Sequence, residues 1–358
     1  MMEGGYLTAN SYPKILLVCN QGIYDAYVAP EDVQRLEKFA TWEWFPCEDG
    51  NNLDEKSRTA KFLESINSAD GLIISHGSPM ISSEIMDAAS NLKIIGELED
   101  DRFANRVDLE AAWERDICTV DTTNGSSYPV SEWALALILI SLRNAGAQFR
   151  RIIAGRTSMD PDALKYAGGL LTGKRVGLIG CGHIGRRLMK YLHPFETEIW
   201  VYDPYLPREM AEALGFLQTS LENILSKCQV IVCLAPLTPK TRGMIGLNEL
   251  NLIPSGTVLV NVSRGAIIDS EALIERLKRG DIVAGLDVFD PEPIPPDSEI
   301  IHLPNVFLTP HFAYFTGNQY RESFGLMVDE LDRFFHGHGT FFDLTSRSLA
   351  NRRGIDSD

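Results

Sequence analysis

Three short segments in the second half of the sequence hold side chains suited to acid–base work on a small anion: VNVSRGAIID with Arg264, GLDVFDPEP with Asp287 and Glu292, and LTPH with His311. Each follows a strand-like apolar run, so each falls at the carboxyl edge of a parallel sheet, where open α/β sheets bind ligands. Reducing a ketone builds charge on oxygen. It needs a cation to fix and polarise the substrate and an acid to deliver a proton near neutral pH. The planar fork of Arg264 suits a carboxylate. A carboxylate beside an imidazole favours the protonated ring and fixes its tautomer. Singly, each of these residues reads as an ordinary loop side chain.

A second group would hold a dinucleotide. In LTGKRVGLIGCGHIGRRLMKYL a strand over 175–179 runs into Gly180, Gly182 and Gly185 and then a helix. Gly180 permits the tight turn, Gly182 the approach of backbone to a pyrophosphate, and Gly185 close packing of helix on strand. A lone motif of this kind is weak, but the next strand ends in Asp203, where a carboxylate accepts the ribose hydroxyls and repels a 2′-phosphate. The expected cofactor is NAD, with NADH preferred over NADPH. Arg208 reads as a helix-surface residue, although it stands near enough to meet a 2′-phosphate. Cys181, between the first two glycines, reads as a filler, with a redox-sensitive thiol as the alternative.

The elements that must position these groups are legible as a pattern. At 358 residues the chain is too long for one ordinary core and favours two domains. Strands at KILLVCN, WEWF, GLIIS, LKIIG and CTVDTT alternate with helices at 30–40, 54–66, 82–89 and 107–116, implying a parallel, doubly wound α/β sheet. Pro129 opens a helix expected to run to about Arg151, apolar enough to be buried on both faces. A second series follows: RVGLIG, EIWVYD, QVIVCLA, TVLVNVS, IVAGLDVF and VFLTP, a six-strand dinucleotide-binding pattern. An amphipathic helix from about Thr316 returns the chain to pack on the first domain, and the polar tail from Ser346 is expected to be weakly ordered.

Composition excludes several functions. The formal charge of -16 repels nucleic acid and anionic membrane surfaces, and the apolar run near Trp133–Leu142 is about half of a bilayer span. The N-terminus lacks the basic and apolar regions of a secretory signal, and six scattered cysteines form no CxxC pair, so cytoplasmic residence with reduced thiols is expected. The His336–Gly337–His338 pair lacks companion ligands, so no metal is expected.

Taken in order, these four motifs resemble the D-isomer-specific 2-hydroxyacid dehydrogenase family over about residues 14 to 335. The resemblance implies that Arg264 binds the substrate carboxylate and polarises the C2 carbonyl, that His311 is the general acid/base, and that Glu292 orients it. Ser75, His76, Gly77 and Ser78 match the family's carboxylate-binding loop, so the expected substrate contacts are these four with Arg264 and His311. The expected cofactor contacts are Gly180, Gly182, His183, Ile184, Gly185, Asp203, Ala235, Pro236, Ser263, Arg264 and Asp287, the last beside the nicotinamide carboxamide. Also implied are a flavodoxin-like substrate domain (1–128 plus 317–358), an inserted Rossmann NAD-binding domain (129–316) and a homodimer formed through the latter.

The sequence departs from the family pattern in places. A glycine-rich stretch is replaced by GELEDDRFANRVD with Glu97, Glu99, Asp100 and Asp101. This reads as a solvated acidic loop, or else as a border of the site that disfavours phosphorylated 2-oxo acids. Phe312, Ala313, Tyr314 and Phe315 after His311 resemble the branch containing carboxy-terminal-binding corepressors, and read as interface filler or as a narrowing of the pocket. Phe312 stands where formate dehydrogenases of the superfamily have glutamine, which argues against formate, and Leu234 replaces a histidine before the PLTP turn. The alternative to an enzyme is a corepressor-like NAD(H) sensor. Retention of Arg264, Glu292 and His311 together favours the enzyme.

Overall fold

The computed structural model describes residues 12–47, 55–75, 77–98, 106–158, 169–316, 319–346 and 349. The chain divides into one unit of Met1–Ser126 with Thr316–Leu349 and a second of Ser127–Phe315 with Ala350–Asp358. His76, Glu99, Asp100 and Asp101 lie outside the described residues.

The first unit is built on a five-stranded parallel sheet in the order β2-β1-β3-β4-β5, where β1 is Lys14–Cys19, β2 Thr41–Pro46, β3 Gly71–Ile74, β4 Ile94–Glu97 and β5 Cys118–Asp121. β1, β3 and β4 read as largely apolar runs because both sheet faces are covered. Leu16, Leu72 and Ile95 pack into one core and Ile15, Ile73 and Ile94 into the other. The helix Gln319–Phe335 buries Phe324, Met327, Val328 and Leu331 in the second of these cores. After it, Asp121 N donates to the Phe342 carbonyl at 3.0 Å and Leu344 N to the Thr119 carbonyl at 2.7 Å, so residues 342–344 lie along β5.

The second unit holds a seven-stranded sheet in the order β12-β11-β10-β9-β6-β7-β8. Its strands are β6 Arg175–Ile179, β7 Glu198–Tyr202, β8 Leu217–Gln218, β9 Val230–Cys233, β10 Val258–Asn261, β11 Val283–Leu286 and β12 Val306–Leu308. Six of these correspond to the sequence pattern. β8 escaped it because two residues at the sheet edge carry no periodicity.

Two expectations about the connecting helix are corrected. It is two helices, Ser127–Leu142 and Ala145–Ile153, because Asn144 takes a left-handed conformation (φ 42) and donates through Nδ2 to the Pro304 carbonyl at 3.2 Å. Asparagine is among the few non-glycine residues that adopt this conformation readily. Nor are both faces buried: Leu139, Phe149, Ile152 and Ile153 are 38%, 66%, 53% and 72% exposed.

Candidate active site

The order of strands in the second sheet reverses between β6 and β9, which opens a crevice at their carboxyl ends. The glycine turn follows β6. Gly180 has φ +92, and a Cβ there would lie 2.8 Å from the Ala235 backbone, so only glycine fits. Gly185 lies against the Gly180 carbonyl, 3.1 Å from where its own Cβ would stand. Gly182 is the opposite case, with nothing within 4 Å of an added Cβ. It leaves a bare stretch of backbone at the N-terminus of the helix His183–Leu192, a suitable cradle for a diphosphate. His183 is exposed there and Ile184 half-buried.

Asp203 stands just past β7, and its carboxylate accepts from Cys181 N at 2.9 Å and Tyr205 N at 3.0 Å. It is thereby held beside the turn with its negative charge fixed. Cys181 is fully buried, 3.7 Å from the Met189 sulfur, and burial pushes its thiol up to about 11; it is a filler. At the end of β9, Ala235 is buried and Pro236 exposed, and the Ala235 carbonyl accepts from the Ser263 hydroxyl.

The reacting groups stand at the ends of β10, β11 and β12. His311 Nδ1 lies 3.0 Å from Glu292 Oε2, with about a third of each side chain exposed (36% and 35%), so an imidazole–carboxylate pair is formed with one face toward solvent. His311 has φ 51, a left-handed backbone that costs a non-glycine residue about 1–3 kcal/mol and persists only where its surroundings enforce it. The enforcement comes from Asp287. Its carbonyl accepts from His311 N at 2.8 Å, and its carboxylate accepts from Thr309 Oγ1 (2.5 Å), Phe312 N (3.1 Å) and Ala313 N (3.0 Å). Burial pushes the Asp287 carboxyl up, against these hydrogen bonds. Asp287 has no exposed surface, and its carboxylate serves the 309–313 loop. Arg264 is half-buried at the end of β10, its Nη1 donating to the Ser263 carbonyl at 2.9 Å.

The expected carboxylate loop lies in the first unit, after β3 at that sheet's own reversal point between β1 and β3. Gly77 has φ +90, and a Cβ there would meet the Cys47 carbonyl at 2.6 Å. The hydroxyls of Ser75 and Ser78 are buried without a hydrogen-bond partner among the described residues.

Two departures from the family pattern, and the His336 position, are also placed. Glu97 is no part of a solvated loop: it closes β4, is fully buried and pairs with Arg106 at 3.2 Å. Phe312 packs edge-on against Trp133 (centroids 4.7 Å apart) and Tyr314 edge-on to His311 (6.0 Å), whereas Phe315 is 66% exposed. His336 follows the last turn of its helix, with Nδ1 2.8 Å from the Asp332 carbonyl, and no metal-binding cluster of three or more His, Cys, Asp or Glu occurs among the described residues. Sequence reasoning missed Asn261, Thr309 and Arg106. For Asn261 a signal existed: it is a polar residue at the end of an otherwise apolar strand, 2% exposed.

Comparison with known proteins gives a consistent picture. Residues 135–313 match the profile of the D-isomer specific 2-hydroxyacid dehydrogenase, NAD binding domain. The chain is 33% identical over 279 residues to the D-3-phosphoglycerate dehydrogenase of Methanocaldococcus jannaschii, covering 77% of this chain and 52% of that protein. It is 31% identical over 252 residues to the glyoxylate reductase of Korarchaeum cryptofilum, covering 70% and 75%. It thus spans about half the length of the phosphoglycerate dehydrogenase it matches. A solved structure from Thermus thermophilus shares 29% identity at a TM-score of 0.67, covering 92% of this chain and 100% of that one. A phosphoglycerate oxidoreductase structure from Rhizobium etli, at 23% identity, shares the fold at a TM-score of 0.78, covering 92% and 98%.

Proposed function

Because the chain belongs to the D-isomer specific 2-hydroxyacid dehydrogenase family, we propose that it interconverts a small 2-oxo acid and its 2-hydroxy acid with NAD(H). The observation that carries this reading is the His311–Glu292 pair at 3.0 Å, on the same sheet edge as a glycine turn left open at Gly182. A nucleotide sensor would need only the turn.

Gly180, Gly182, Gly185, His183 and Ile184 would hold the diphosphate of the cofactor, and Asp203 the adenosine ribose, with Ala235, Pro236 and Ser263 lining its path. When bound, NADH supplies the hydride for C2. Arg264 grips the substrate carboxylate and steadies charge building on the carbonyl oxygen, a role for which guanidinium is suited by its fork and permanent charge. His311 gives its Nε2 proton to that oxygen, while Glu292 at Nδ1 keeps the ring in the right tautomer and balances the imidazolium. In the oxidative direction the same atoms take the proton back. The 75–78 segment, through Ser75, Gly77 and Ser78 among its described residues, would offer backbone N–H groups to the substrate carboxylate, and the first unit would act as the substrate domain, the second as the NAD domain. The fixed charge of Asp203 supports NADH over NADPH.

The exposed apolar side chains of Leu139, Phe149, Ile152 and Ile153 on the second unit support a homodimer formed through it. Scattering-based molar mass in solution tests this, and a monomer refutes it. None of the six cysteines is bridged, in keeping with cytoplasmic residence, and no helix among the described residues is long and apolar enough to cross a membrane. A panel of 2-oxo acids followed by loss of reduced-cofactor absorbance tests the activity. Turnover of at least one with NADH is expected; tight NADH binding with no turnover of any would overturn the proposal.

A further inference from the structure

Beneath the reacting groups lies a pair of buried polar residues at the ends of neighbouring strands. Asn261 closes β10 at 2% exposure, and Asp287 follows β11 at 0%. Both amide ends of Asn261 are engaged with the turn that carries Arg264: Oδ1 accepts from Ser263 N at 3.0 Å, and Nδ2 donates to the Arg264 carbonyl at 3.1 Å. The Asn261 carbonyl accepts from Asp287 N at 2.9 Å. Asp287 then holds the loop of His311 through the four hydrogen bonds already described. A series of bonds therefore runs from the Arg264 carbonyl through the buried Asn261 side chain and on through main-chain bonds of Asn261 and Asp287 to His311 N, with the Asp287 carboxylate holding Thr309, Phe312 and Ala313 on either side. The Arg264 turn is also pressed onto the segment leading to Glu292, since a Cβ on Gly265 would lie 1.9 Å from the carbonyl carbon of Phe289.

An amide and a carboxylate buried at strand ends bear a desolvation penalty that valine or leucine would not. Strand pairing needs only their backbones. What their side chains add is directed bonding to two loops that the strands alone leave unfixed, and His311 needs such restraint at φ 51.

We propose that Asn261 is a positioning residue whose amide fixes the Arg264 turn relative to the strand that leads to Asp287 and the His311 loop, acting on turnover through Arg264. The proposal rests on the role given to Arg264 above and adds to it a buried amide that acts through Arg264.

The test is a double-mutant cycle on the full-length protein with its best 2-oxo acid, measuring kcat, KM, NADH affinity by fluorescence and thermal melting. Asn261→Ala is expected to lower kcat/KM by roughly 10- to 100-fold, the scale of a misplacement of about 1 Å, with NADH affinity within about twofold. In an Arg264→Lys background, where the fork is already lost, the same change is expected to cost less than about threefold. Equal losses in both backgrounds would overturn the proposal, as would unchanged kcat/KM. If Asn261→Ala fails to bind NADH, Asn261→Asp takes its place, since it keeps the volume and the bond from Ser263 N while setting oxygen against the Arg264 carbonyl; the same criteria then apply. Wild-type turnover by Arg264→Lys would instead strike at the role of Arg264 itself, so the two failures are distinguishable.

Discussion

Each sheet reverses its strand order at a crevice, yet the polar groups there are treated differently. At the edge of the second sheet, Asp203 holds Cys181 N, Asp287 holds the 309–313 loop, and Glu292 meets His311. At the edge of the first, the hydroxyls of Ser75 and Ser78 are buried with no partner among the described residues. A buried hydroxyl left unbonded is unfavourable by about 1–3 kcal/mol, a cost that a bound anion would remove. One edge thus has its polar groups bonded within the protein, as catalytic electrostatics would require, and the other keeps two buried hydroxyls without a partner among the described residues.

The contrast predicts unequal responses to substitution. The largest effect should come from His311→Ala, which removes the proton donor: kcat is expected to fall by roughly 10²- to 10⁴-fold with NADH affinity nearly intact. An unchanged kcat would dissolve the special status of the second edge. Glu292→Gln keeps the shape of the pair but not its charge, and a hydrogen bond to a charged group is worth about 1.5–3 kcal/mol. Steady-state kinetics should therefore show kcat lowered by roughly 10- to 150-fold, and less than a threefold change would detach Glu292 from the mechanism.

The glycine turn separates stability from binding. Gly180→Ala forces a side chain onto φ +92 and the Ala235 backbone, and should lower the melting temperature by several degrees, on the order of 1–3 kcal/mol. Gly182→Val meets open space in the free protein; calorimetry should find its melting temperature little changed and its NADH affinity weakened. Equal melting losses for the two variants would mean that the space beside Gly182 is not reserved for a ligand. The smallest effect belongs to the first edge. Ser75→Ala, deleting a hydroxyl with no partner among the described residues, should leave stability unchanged or raised by up to about 1 kcal/mol while raising KM for the 2-oxo acid a few-fold. A clear loss of stability would show that this hydroxyl is bonded within the protein and that the contrast is false.

Much of this was legible before any coordinates. The alternation of β-branched runs and helical stretches identified all five strands of the first sheet and six of seven in the second, because parallel strands covered on both faces must be apolar throughout. The break at Asn144 was not legible, since a left-handed residue inside an apolar run depends on the Pro304 carbonyl, which is remote in sequence. Glu97 was read as part of a solvated acidic stretch because its neighbours are acidic. Its burial follows from the register that sets it beside Ile74 and Asp121 and from the partner Arg106.

Residue type and strand periodicity are local properties, so the glycines of the turn, Asp203 after the following strand, and Arg264, Glu292 and His311 after three more stand out in the unfolded chain. Only the tertiary structure decided how these groups are held. That Asp287 turns inward to the histidine loop, and that Asn261 ties it to the Arg264 turn, depends on which strands lie side by side. Adjacency in a parallel sheet is set by crossovers tens of residues long, over which no local pattern carries information.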